Sequence, residues 1–158
     1  MSRSRGTPDP MFEAADAPTL ALSTVHLDVA RLRQLLVFER TLRRLAPPGS
    51  SAEQTAQAHA AAVAASGIAA SEVEAPLALL RRFAANRSLS ASLTEGLSRL
   101  SARVAHDPVA EQQAVEVRRR LVALDEAFHG REDPATWHLL EGHAGEILAL
   151  FATTPTGR

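Results

Sequence analysis

The sequence has no cysteine, no lysine and no tyrosine, and aromatic residues fill only 4% of its 158 positions. Without cysteine there is no disulfide, no thiolate metal site and no thiol nucleophile, and the redox compartment is left open. A shortage of aromatic and β-branched side chains argues against sheets, whose half-buried surfaces favour those residues, and all but excludes a β-sandwich or barrel. No run of about 18 apolar residues occurs. Nor are the early arginines of MSRSRGTPDP followed by the apolar stretch of a secretion signal, so a cytoplasmic location without membrane contact is expected. Glycine is sparse as well. Neither a Walker A motif nor Gly-x-Gly-x-x-Gly is present to cradle phosphates, and no Gly-x-Ser-x-Gly turn marks a nucleophilic serine.

What is abundant is alanine (31 residues) and leucine (21), both strong helix formers. With 46% apolar residues, the length suits one core. The expected fold is all-α: a single-domain antiparallel bundle of about six helices over residues 19–152, after a disordered segment 1–18 and before a frayed tail 153–158. Met11 is a candidate start, because residues 1–10 add nothing to a core. All 17 basic residues are arginine, a bias that points to a GC-rich bacterial genome. The formal net charge of −1 supplies no field to hold the protein on nucleic acid or an anionic membrane.

Periodicity places the helices. Leu32, Leu35, Phe38, Leu42 and Leu45 form one stripe of a helix from about Leu20 to Ala46, which Pro47, Pro48 and Gly49 end. Ser50 with Glu53 reads as a capping box opening an alanine-rich second helix, expected to wedge between larger neighbours and to close at Gly67. A third helix is expected from Ser71 to about Asn86 and a fourth from Ser88 to about Ala105. Asp107-Pro108 starts a fifth, which runs to Gly130, and Asp133-Pro134 starts a sixth with Trp137, Leu140, Ala144, Ile147 and Phe151 on one face.

Three readings of function follow, from different classes. The leading one is a module that binds another protein or itself, with no catalytic chemistry evident and no cofactor expected. Its candidate surface is Arg118, Arg119 and Arg120, three successive arginines that fan over about 200° of a helix. Glu116 can pair with Arg120, which leaves the other two for an acidic partner. Residues 1–50 carry a net +2 and residues 111–158 a net −3, which favours contact between copies.

The alternative is a metal or small-ligand bundle. Glu126 and His129 have the Glu-x-x-His spacing of di-iron bundles, with Glu39 and His143 as possible additions, but no second Glu-x-x-His exists. Arg43 four residues after Glu39 explains that carboxylate as an ion pair, and His129 before Gly130 fits a helix end. His138 and His143 lie about 140° apart, so they cannot grip one zinc ion. The third reading is a helix-turn-helix regulator at AAVAASGIAASEVEAPL, where Gly67, Ile68 and Val73 fit the corner. Pro76 breaks the pattern, and Glu72 with Glu74 would repel phosphates.

Overall fold

The computed structural model describes residues 25–129 and 132–151, without the side chain of His129. The expected segments 1–18 and 153–158 and the helix stop at Gly130 lie outside the described residues. Among the described residues the chain is all helical, with six α-helices, two 3₁₀ turns and no strand.

Asp28 starts α1 (Val29–Leu45) by accepting the Arg31 N–H at 2.7 Å. The expected start near Leu20 is therefore corrected. Asp28 is in an extended conformation that breaks a helix, and the Leu27 N–H donates to Thr136 Oγ1 at 3.3 Å instead. The second helix, α2 (Ala52–Ser66), has its capping box one residue later than expected: Ser51 with Gln54, while the Ser50 hydroxyl donates to the Pro47 carbonyl. Gly67 ends it in the left-handed region, at φ 73°.

The expected third and fourth helices are one continuous element, α3 (Glu74–Ser101), entered through a 3₁₀ turn at Ala70–Glu72. Asn86 and Ser88 do not break it. The Asn86 amide reaches across to the Leu124 carbonyl rather than capping a new helix, and Thr94 and Ser98 return their hydroxyls to carbonyls one turn back. A second 3₁₀ turn, Val104–His106, leads into α4 (Pro108–His129). The expected sixth helix is instead two, α5 (Pro134–Gly142) and α6 (Ala144–Phe151). Gly142 and Gly145 flank His143 and lower the helix propensity on both sides of the break.

All six helices and the corner before α3 contribute to the core. Leu32, Leu35 and Phe38 of α1 and Leu77, Leu80 and Phe83 of α3 share one cluster with Ile147 and Phe151 of α6, a helix that contacts both. Phe83, Phe128 and Trp137 close one end as a ring cluster, with centroids 4.7 to 6.0 Å apart. The alanine-rich α2 is not wedged but lies outside, packed mainly on α1. Small side chains allow it a narrow buried strip, chiefly Ala58 and Ala62, and little else.

Two arginines of α3 bind this body together. Arg82 forms an ion pair with the buried Glu132 and covers the Phe128 ring, and Arg87 pairs with Glu141 while lying over Phe83 and Trp137. Both arginines sit mid-helix, because α3 continues for fourteen residues past Arg87.

Candidate functional site

Past Ala84 the packing changes. From Ala85 to Ala127 only Ala110 and Ala114 are buried, and neither belongs to the core cluster. Here the second half of α3 and most of α4 lie antiparallel, an arm about 25 Å long at 1.5 Å per residue. Leu93, Leu97 and Leu100 of α3 meet Val117, Leu121 and Leu124 of α4, and all six are only half-buried. On its other side α3 faces α6 across a hollow of about 640 Å³ between Arg87, Thr94 and Leu148.

Two further surfaces of the arm are open. One flank of the seam carries three hollows of about 300, 350 and 440 Å³, floored mainly by Leu89, Leu93, Leu100, Leu124 and Val117 and edged by Arg82 and Arg120. Nothing lies within 4 Å of where a Cβ would stand on Gly96 of the arm. The other surface is the outward ridge of α4, where Val115 and Val122 are 58% and 57% exposed. Seven residues return a helix to within about 20° of the same direction, so the two valines stand on one line. Of the seven large apolar side chains most exposed among the described residues, four (Leu89, Val109, Val115, Val122) belong to the arm.

The three successive arginines fall on α4. Glu116 takes two of them, accepting from Arg119 Nε and Nη2 at 2.9 Å each and from Arg120 Nε at 3.1 Å. The expectation of a Glu116–Arg120 pair is met, and Arg119 is engaged as well, because positions three and four residues on both face Glu116. Hydrogen bonds from Arg119 and then Arg120 hold the Glu116 carboxyl down to about 2 from 4.5, and the same contact raises the Arg119 guanidinium. Arg118 has no ion pair among the described residues and points to solvent.

The metal reading draws on residues of α1, of α4 and of the break between α5 and α6. Glu126 is exposed on α4, and His129 ends that helix with its side chain outside the described residues. Glu39 is buried on α1 and bound to Arg43 Nε at 2.7 Å, which makes it a core-edge ion pair rather than the surface pair expected from sequence. His143 Nδ1 lies 3.5 Å from Glu146 Oε1, the i, i+3 contact its spacing allows, and His138 is exposed. Among the described residues no three His, Asp or Glu side chains are grouped to hold a metal ion.

At the corner of the third reading the chain bends by 92° between α2 and the helical stretch that follows, a geometry suited to a helix-turn-helix. Its chemistry is the reverse: Glu72 is paired with Arg31 at 3.1 Å, and Glu74 opens α3. No single helix among the described residues is long and apolar enough to cross a membrane.

Glu132 and Glu141, the partners that fix Arg82 and Arg87, are not distinguishable in the sequence, since they lie 50 and 54 residues from them. No protein-family description, curated protein or solved structure matches this chain.

Proposed function

We propose that this protein is a small bacterial, cytoplasmic interaction module that binds another protein or a second copy of itself through the arm formed by α3 and α4. One observation carries the reading. Between Ala84 and Phe128 only two alanines are buried, while Leu89, Val109, Val115 and Val122 are exposed on the same two helices. A two-helix pair leaves its outer flanks uncovered, and the apolar side chains exposed there favour a contact site. The body supplies the anchorage, through the Phe83, Phe128 and Trp137 cluster at the arm's root. The arginines at 118 to 120 give the arm a charged edge that selects among partners.

Native mass spectrometry of the untagged protein, drawn gently from its own host, tests this. The wild type is expected to carry the mass of a second subunit or another protein. The Arg118→Glu, Arg119→Glu double variant, still folded by circular dichroism, is expected to lose it. Associations unchanged by that reversal would refute the assignment of the surface.

A further inference from the structure

The ridge of α4 carries three pairs of residues spaced by seven. Val115 and Val122 form its line. Arg118 lies about 60° to one side of Val115 and Arg119 about 40° to the other. Asp125 and Glu126 repeat those offsets about Val122, with the sign of the charge reversed. All six residues are exposed.

We propose that this ridge pairs with the same ridge of a second copy, antiparallel, with the two-fold axis level with Val122. The inference rests on the reading of the arm as a contact surface and names its partner. A two-fold axis across two antiparallel helices brings like flanks together, each residue meeting the one equally far on the other side of the axis. Val122 then meets Val122 of the second copy. On one flank Arg118 meets Asp125, and on the other Arg119 meets Glu126, each within about one residue rise, 1.5 Å, with Arg119 and Asp125 keeping the contacts each has within its own chain.

The competing arrangements are worse by charge. Setting Val115 against Val122 moves the axis between residues 118 and 119, so that each arginine meets its own copy. Parallel pairing opposes like charges along the whole ridge. The charges therefore select one register of one orientation, with two ion pairs on each flank. One helix ridge buries less than the roughly 1,200 Å² of a standard interface, so the dimer is weak and depends on concentration.

The absence of native cysteine makes the register directly testable, because an introduced thiol is the only one in the chain. In the full-length protein, Val122→Cys is expected to form a symmetric disulfide dimer under mild oxidation, since a disulfide needs Cβ atoms about 4 Å apart. Val115→Cys, placed opposite residue 129 of the second copy, and Val37→Cys on α1 are expected to stay monomeric. Adding Arg118→Glu and Arg119→Glu to the Val122→Cys protein should slow trapping about tenfold. Adding Asp125→Arg and Glu126→Arg as well should restore it, a rescue that a merely structural effect would not produce. Trapping at Val122 no faster than at Val115 or Val37 overturns the proposal. If sedimentation then still shows a dimer, or native mass spectrometry another bound protein that Arg118→Glu with Arg119→Glu releases, the arm's role in binding survives. If neither appears, that reading falls too.

Discussion

Replacing Phe83 by alanine should be far more damaging than a comparable truncation in the arm. Phe83 is fully buried at the root of the arm, edge-on to Phe128 at 6.0 Å and to Trp137 at 5.6 Å, with Arg87 over its face at 5.5 Å. Truncating a buried phenylalanine costs about 3–5 kcal/mol from lost transfer energy and the residual cavity. Its two ring contacts place the loss toward the upper end. Leu97 is only half-buried, between α3 and α4, so Leu97→Ala should cost roughly half the usual 2–5 kcal/mol of a buried leucine, about 1–2 kcal/mol. Against a typical stability of about 5–15 kcal/mol, the first variant is marginal and the second comfortably folded. Urea unfolding followed by circular dichroism, compared through midpoints at equal slope, measures both. Equal losses would refute the division into a packed body and a thinly covered arm, because they would require Leu97 to be as enclosed as Phe83.

Two further outcomes follow from charged groups. The Glu116 carboxyl, held down to about 2 by Arg119 and Arg120, should titrate by NMR well below its ordinary 4.5. Its folded-state value is lowered, so its contribution to helix stability is fully present above pH 4.5 and is lost as the pH falls toward 2. Titration near 4.5 would mean that the Glu116 pairs do not persist in solution. Replacing Glu132 by alanine removes the buried carboxylate that pairs with the Arg82 guanidinium beside Phe128. Because Arg82 keeps 29% exposure, the loss should be about 2 kcal/mol, below the 3–5 kcal/mol of a fully buried pair, by thermal unfolding. No change would show that solvent already satisfies Arg82.

Much of the fold is legible in the sequence because helix starts are local chemistry. Asp133 caps α5 as its dipeptide with proline suggests, and Asp107 accepts the Val109 N–H at the start of α4. What local chemistry does not settle is whether two capable segments join. Asn86 and Ser88 look like a boundary, but with no proline or glycine there the helix runs through. Gly142 and Gly145 surround a real break that an unbroken apolar stripe conceals. Among the described residues the number of helices agrees with expectation only because one fusion offsets one division.

The arm is hidden in the sequence for a different reason. Leu93, Leu97 and Leu100 repeat at the same spacing as Leu77, Leu80 and Phe83. Period reports which face is apolar and not how many neighbours cover it. Leu80 and Phe83 are enclosed, while Leu97 and Leu100 are only half-buried. The arginine run at 118 to 120 is conspicuous in the sequence, as is its link to Glu116. Its relation to Asp125 and Glu126 appears only once α4 is known to be continuous and its outer ridge exposed.

The central claim, that α4 of the arm is the contact surface, is tested most directly by hydrogen exchange on the full chain at low and high protein concentration. The account predicts that raising the concentration slows exchange within residues 115–126 and leaves α1 and α2 unchanged. Slowed exchange confined to α1, around exposed Val29, Val37 and Leu45, with α4 unaffected, would contradict it.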